Sequence, residues 1–292
     1  MQTKSGVARD ISYASSARSR AGRALIRVTE NVTGRMRLIR QAAGYEVEVA
    51  KGRNFWDVMA DRYGLSLDVT GGALDNIPVD GPLIVIANHP FGILDGLMIG
   101  KILSHRRDEY RILANQVFRK AKDLEKIILP VSFEGDKDAV ALNVATRRES
   151  LRFLGEGGAI GIFPGGTVST AARPFGYPMD PGWRSFTARM IAKSQATIVP
   201  VFFEGHNSRL FQIASHVHAT LRMALLIKEF KSKVGEPVPV VIGAPIQRSE
   251  LDPYVGDPKA MMDFLREATY RLSPRPLPDY GYGYEFEQKH KS

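Results

Sequence analysis

Short apolar runs recur along this chain at 83–86, 111–114, 127–133, 159–163, 197–203 and 238–242, each bounded by turn residues. Unbroken runs of strand length are what a sheet buried on both faces requires. Between most of them apolar positions return at three- and four-residue steps, which predicts helices over 94–104, 118–125, 138–154, 183–194 and 208–218. Alternation of this kind predicts an α/β fold, a mainly parallel or mixed sheet covered by helices on both faces. Pro239 has no N–H for a ladder, so the 238–242 strand is expected at a sheet edge. Upstream, 55–63 reads as a short helix and 65–69 as a strand, and Asp80-Gly81-Pro82 punctuates the start of the domain proper. The segment after Pro274, with Pro276, Pro278 and Tyr280-Gly-Tyr-Gly-Tyr284, has no core pattern and is expected to be extended or mobile. The resulting division is an N-terminal helical arm over 1–64, a domain over 65–273 and a tail over 274–292.

Charge sharpens the picture of the arm. Nine Lys/Arg against Asp10 and Glu30 place +7 of the formal +9 on residues 1–44. Over 18–43, Ala21, Leu25, Val28, Val32, Met36, Ile39 and Ala43 draw one face of a helix, with Arg20, Arg23, Arg27, Arg35, Arg37 and Arg40 around it. A basic amphipathic helix binds anionic membrane surfaces, each Lys/Arg near the surface adding about 1 kcal/mol. The same pattern also describes a helix packed on the domain with its arginines solvated, or an Arg- and Ser-rich transit segment. Nucleic acid is not an expected partner, because no aromatic interleaving or reader module accompanies the charge. The absence of cysteine excludes disulfides, thiol catalysis and cysteine-zinc sites. No apolar run approaches the length of a spanning helix, and the opening residues lack a secretory signal core, so if the protein works on lipid it must do so from the membrane surface.

The candidate chemistry gathers at strand ends. His89 follows the 83–86 run, and Pro90 and Gly92 break the pattern before a helix opens near Asp95. Loops at the carboxyl edge of an open α/β sheet are held by a rigid scaffold yet reach solvent, which is where ligands and catalytic groups collect. A carboxylate there can cap the helix, or hold one imidazole nitrogen and leave the other as a base. Phe163-Pro164-Gly165-Gly166-Thr167-Val168-Ser169 follows the next such run; adjacent glycines let backbone amides approach a ligand, and alone the segment reads equally as a tight turn. Glu204, His206, Asn207, Ser208 and Arg209 close the 197–203 run, as a helix start or a substrate contact. No phosphate loop ending in Lys-Ser/Thr is present, Gly155-Glu-Gly157-Gly158 precedes a strand where a dinucleotide fingerprint would follow one, and no serine sits in a Gly-x-Ser-x-Gly elbow. The remaining histidines lack partners at useful spacing.

Asn88-His89 with Asp95, then Phe163 to Ser169, then Ile198-Val199-Pro200-Val201, resembles in order the motifs of the lysophospholipid acyltransferase family, over roughly residues 65–245. The resemblance implies a membrane-associated acyltransferase domain that moves a fatty acyl chain from an acyl carrier protein or coenzyme A thioester to a lysolipid hydroxyl. It implies no cofactor beyond that co-substrate and no metal, and a peripheral position on the cytoplasmic face. His89 would be the base and Asp95 its partner, with Asn88, Pro164, Gly165, Gly166, Thr167, Glu204 and Arg209 as substrate-side residues. The family spaces its histidine and aspartate by four residues, whereas five stand here, and a turn containing Gly92 is expected to absorb the extra one. Members acting on lysophosphatidic acid typically carry Glu and Arg in the third motif and an Arg in the second; here Gly165 and Val168 stand in the third, and the 127–133 strand ends Ser132-Phe133-Glu134. The expected acceptor is therefore a phosphate-free lyso-aminolipid of the lyso-ornithine lipid type, its carboxylate met by Arg173, Arg184 or Arg209. Lysophosphatidic acid is the alternative acceptor, and a non-catalytic membrane-binding scaffold is the alternative of another class.

Overall fold

The computed structural model describes residues 12–14, 17, 19–115, 118, 123–132, 137–277 and 279–285. Among the described residues the first helices are α1 (Arg20–Thr33), α2 (Arg35–Ala42), α3 (Tyr45–Ala50) and α4 (Phe55–Tyr63). They lead into β1 (Ser66–Gly72), β2 (Leu83–Ala87), α5 (Ile93–Ser104), β3 (Tyr110–Asn115), β4 (Ile128–Val131), α6 (Lys137–Gly155) and β5 (Ala159–Ile162). A hairpin of β6 (Thr170–Ala171) and β7 (Pro178–Met179) precedes α7 (Ser185–Lys193), β8 (Thr197–Phe203), α8 (Arg209–Val217) and α9 (Ala219–Lys233). The chain ends through β9 (Pro237–Ile242), α10 (Arg248–Leu251) and α11 (Pro258–Tyr270).

The 7-stranded sheet has the order β1-β9-β8-β2-β5-β3-β4. Every neighbouring pair is parallel except β8 and β9. It is a mixed α/β fold with a central sheet flanked by helices. In β2 the side chains of Leu83, Val85 and Ala87 enter a core with Trp56, Met59, Met98 and Ile99. Ile84 and Ile86 enter another with Met190, Ile191, Met262 and Leu265. Both faces are covered, which is why the run reads as unbroken apolar.

The structure corrects the sequence reading in several places. β9 lies inside the sheet, between β1 and β8. Its ladder with β8 ends at Val240, and at the next rung Pro239 contributes only its carbonyl, which accepts from Glu204 N–H at 3.0 Å, so the missing donor affects one rung at the end of the ladder. The single helix expected over 18–43 breaks at Gly34, whose φ of 138° closes α1 and opens α2. A side chain at Gly34 would also collide with Lys231 of α9, so the break lets the two helices come close. Of the helix expected over 118–125, the described residues 123–125 form a turn, and 119–122 lie outside the described residues. α9 and α11 were not anticipated, and α9 proves decisive for the site. The tail at 279–285 is extended and bonded: Gly283 N–H donates to Asp180 O and Tyr284 N–H to Thr170 O.

The apolar stripe of the arm faces outward. Leu25, Val28, Val32 and Met36 are exposed, Val32 at 81%. What holds α1 to the domain is the opposite face: Ile26 is fully buried against Ala14 and Ala224, and the buried Glu30 accepts from Ser12 Oγ (2.7 Å) and Tyr13 N–H (2.6 Å). Leu38, Ala42 and Tyr45 continue into the core shared with Trp56 and the sheet. Arg35, grouped by sequence with the membrane-facing arginines, is 8% exposed and packs inward, because the break at Gly34 rotates α2 relative to α1.

Candidate active site

β2 and β5 run parallel, so His89 and the Phe163–Ser169 segment emerge at the same carboxyl edge, and β8 delivers Glu204 to Arg209 there too. Asn88 is buried and clasps the end of β8: its Nδ2 donates to Phe203 O at 3.0 Å and its Oδ1 accepts from Phe203 N–H at 2.7 Å. This pins the backbone one residue before His89. The His89 ring stacks on Phe163, centroids 4.3 Å apart, and its backbone N–H donates to Asp180 Oδ1 at 3.2 Å.

Asp95 stands in the first turn of α5 and is fully buried. Its Oδ2 accepts from the backbone N–H of Phe91 (2.8 Å) and Gly92 (2.9 Å), and lies 2.9 Å from His89 Nδ1, off the line of a straight hydrogen bond. Gly92 makes this possible with φ 95° and ψ −112°, a conformation closed to side-chain-bearing residues, so the extra residue is taken up within the turn and the pair still meets. Asp95 Oδ1 has no partner. Burial pushes the Asp95 carboxyl above the usual carboxylate range, while His89 and the two amides pull it back. With Nδ1 facing Asp95 at 2.9 Å and no group among the described residues bonding Nε2, the imidazole presents Nε2 as a base. A second His–Asp contact, His105 Nε2 to Asp57 Oδ1 at 2.8 Å, sits at the other end of α5 and belongs to no such edge.

The Gly-Gly segment is stapled to the dyad. Ser169 N–H donates to His89 O at 2.8 Å, Gly166 N–H closes a turn onto Phe163 O, and Arg184 N–H donates to Pro164 O. Two buried ionisable residues that sequence reasoning missed organise it. Asp180 is fully buried behind Gly165, where it accepts from Ser169 Oγ and from Trp183 Nε1 (2.9 Å) besides His89 N–H. Arg222 of α9 is buried over the Phe211 ring; its Nη2 donates to Thr167 Oγ1 (3.0 Å) and Val168 O (2.6 Å), and its Nη1 to Ser215 Oγ (2.9 Å) and Thr170 Oγ1. Burial pulls its pKa down to about 10, so it remains a cation at neutral pH. A lone arginine among Leu221, Met223, Ala224, Leu225 and Leu226 was the available signal; Asp180 left none.

The turn amides after His89 are spent on Asp95, and those of Gly166 and Ser169 on the backbone. Among the described residues the N–H groups of Gly165, Thr167 and Val168 have no hydrogen-bond acceptor, which leaves them as the unspent donors of this segment.

Glu204 Oε1 pairs with Arg275 Nε at 3.0 Å, and the carboxylate beside Gly165 is that of Asp180. Of the cations considered from sequence, Arg173 is exposed on the β6–β7 connection and Arg184 sits at the cap of α7. Arg209 opens α8 and donates to Phe175 O at 3.1 Å on the rim of a cavity of about 240 Å³. Among the described residues no three His, Asp or Glu converge as metal ligands would, and no helix is long and apolar enough to cross a membrane.

A buried His–Asp pair at the carboxyl edge of an α/β sheet, with a glycine turn bound to its backbone, defines a class of acyl-transfer site. The chain belongs to the family described as Acyltransferase, which matches residues 39–275. Among its relatives, the Lyso-glycine lipid O-acyltransferase of Phocaeicola vulgatus is 24% identical over 76% of this chain and 78% of its own. The Lyso-glycine lipid O-acyltransferase of Bacteroides thetaiotaomicron is 23% identical over 76% and 80%. The crystal structure of the 1-acyl-sn-glycerophosphate (LPA) acyltransferase PlsC from Thermotoga maritima aligns over 76% of this chain and 83% of its own, at 18% identity and a TM-score of 0.42.

Proposed function

We propose that this acyltransferase moves a fatty acyl chain from an acyl carrier protein or coenzyme A thioester to the hydroxyl of a phosphate-free lyso-aminolipid, working as a peripheral protein on the cytoplasmic face of a membrane. The observation that carries the chemistry is the 2.9 Å contact between His89 Nδ1 and buried Asp95. His89 Nε2 takes the acceptor's hydroxyl proton as that oxygen attacks the thioester carbonyl carbon. The C–S bond breaks, and the imidazolium returns the proton to the leaving thiolate. Asp95 favours the imidazolium as it forms, and the N–H groups of Gly165, Thr167 and Val168 are the donors suited to the oxyanion. No covalent enzyme intermediate is needed.

Two lines support the acceptor. Both named relatives act, by their descriptions, on a lyso-glycine lipid. The third motif offers no guanidinium of its own, since Val168 is buried against Phe211 and Leu226. The second reading, lysophosphatidic acid, has one observation in its favour: Arg222 brings a guanidinium to Thr167. Its Nη1 and Nη2 hydrogens are spent on the protein's own oxygens, however, so that cation braces the turn and does not fork a phosphate. The exposed apolar stripe of α1, flanked by Arg20, Arg23 and Arg27, supports the membrane position.

The test is purified enzyme given an acyl carrier thioester and each acceptor in turn. Acylation of the lyso-aminolipid with little of lysophosphatidic acid is expected, and the reverse preference refutes the acceptor. His89→Ala is expected to lower kcat/KM by about 10²- to 10⁴-fold with an unchanged Tm. Retained turnover in the folded variant would remove His89 from the mechanism.

A further inference from the structure

The sheet edge that holds the dyad also holds a cavity of about 240 Å³ that the chemistry above does not use. Its walls come from the β6–β7 connection (Phe175, Tyr177, Pro178) and from the segment where β8 passes into α8 (His206, Arg209, Gln212). At roughly 30 Å³ per water, and below the roughly 300–1,000 Å³ of pockets that enclose a drug-sized ligand, it suits a compact head group and not an acyl chain.

Two of the polar side chains on its walls, Arg209 and Gln212, offer donors. Arg209 anchors one Nη1 hydrogen on Phe175 O and keeps its guanidinium at the rim. Gln212 is 1% exposed; its Oε1 accepts from Ala171 N–H at 3.0 Å, which fixes the amide's orientation, and its Nε2 is shielded from water with no hydrogen-bond partner. An orphaned buried donor costs about 1–3 kcal/mol, and Gln212 is one of the residues that border the cavity, so a small turn of its amide would offer that donor to an acceptor there. One guanidinium and one amide match a single planar monoanion, whereas a phosphate dianion draws on more than one cation. The Phe175, Tyr177 and Pro178 side chains supply an apolar wall for the atoms next to the charge.

The distance to the dyad is right. Phe203 is clasped by Asn88, next to His89, and His206 follows three residues later, so His206 lies within roughly 15 Å of the dyad's backbone. Gly205 packs directly against the Phe91 ring, two residues past His89. From Arg209 the same helix carries Leu210, Ile213 and Val217 outward, all exposed, and Leu221 of α9 continues them. An amphiphile with its head group in the cavity would therefore leave its chain on an apolar face.

We propose that the cavity between Arg209 and Gln212 is the acceptor head-group site, and that it takes the free carboxylate of an N-acylated amino acid. This rests on the acceptor reading above, and binding separates the two. N-dodecanoylglycine, which has no hydroxyl to acylate, and its methyl ester are titrated into the full-length protein below their aggregation concentrations, with the variants Arg209→Gln and Gln212→Glu. Arg209 is exposed, so its change spares the core; glutamate at 212 keeps the Oε1 that holds Ala171 but adds a buried charge, and Tm reports whether the fold tolerates it. Each variant is expected to raise the Kd for the acid by about tenfold or more, as loss of a charge-assisted bond does. The ester should bind the wild type as weakly as the acid binds the variants. Equal binding of acid and ester by the wild type, or unchanged Kd values in both folded variants, overturns the site. Turnover is read separately with the 3-hydroxy analogue: tight binding of the acid without acylation of that analogue refutes the acceptor and leaves the cavity a carboxylate site.

Discussion

At the scale of single residues, the site is built from side chains that are expensive to bury. Asp95 is the clearest case, since its carboxyl is pushed up by burial and only one of its oxygens has partners. A carboxyl whose pKa is higher in the folded protein than in the unfolded chain leaves stability intact below the unfolded value of about 3.9 and costs stability as pH rises from there through the raised folded value. Asp95→Asn keeps an oxygen for the Phe91 and Gly92 N–H groups and removes the charge. It is expected to raise or preserve stability at pH 7, to flatten the decline that the wild type shows from pH ~4 upward, and to lower kcat/KM by about 10²-fold or more. Urea titrations of both proteins across that pH range measure the slope. A variant less stable than the wild type at pH 7 would mean that the ionised carboxylate stabilises the turn more than burial opposes it.

At the scale of elements, α1 divides its labour between its faces. Ile26 and Glu30 hold it to the domain, and Leu25, Val28 and Val32 are left to solvent with Arg23 and Arg27 beside them. Among the described residues the apolar stripe on the outer face has no partner, and the membrane position proposed above would give it a bilayer surface. Exchanging Arg20, Arg23 and Arg27 for Glu is expected to weaken binding to anionic vesicles by more than 100-fold, at about 1 kcal/mol for each arginine lost. It should leave binding to neutral vesicles and the Tm little changed, because these positions are exposed. Undiminished co-sedimentation with anionic vesicles would assign membrane attachment to another surface, with the Leu210–Ile213–Val217 face of α8 next in line.

At the scale of the whole molecule, the N-terminal segment is part of the catalytic unit as well as its candidate anchor. Tyr13 packs beside Val168 and Leu226 next to Gly92, and burial with the nearby Asp95 carboxylate pushes its phenol up. Leu38 and Ala42 sit in the same core as β2 and α5. Removing residues 1–44 is therefore expected to unfold or strongly destabilise the protein, beyond releasing it from membranes. Leu38→Ala alone should cost about 2–5 kcal/mol, against less than about 0.5 kcal/mol for Val32→Ala on the outer face. Thermal denaturation of the three proteins checks this, and a truncated chain with wild-type Tm would show that the arm is dispensable to the domain.

The sequence by itself determined what local chemistry dictates. Apolar runs such as 83–86 and 197–203 have the length and composition of strands covered on both faces, and His89, Gly92 and Asp95 stand close enough in the chain for one turn to join them. Tertiary structure decided whatever depends on partners far along the chain. The stripe Leu25–Val28–Val32 was legible as a helix face, but which way that face turns depends on α9, some two hundred residues away, packing against the other side. Asp180 and Arg222 brace the site from 91 and 54 residues' separation, with no periodicity or spacing linking them to His89 or Val168. Pro239 could sit inside the sheet because the β8 ladder ends just short of it, a matter of register between strands. Short-range geometry is written in neighbouring residues, whereas the direction of an exposed face and the company of a buried charge are set only when distant elements pack.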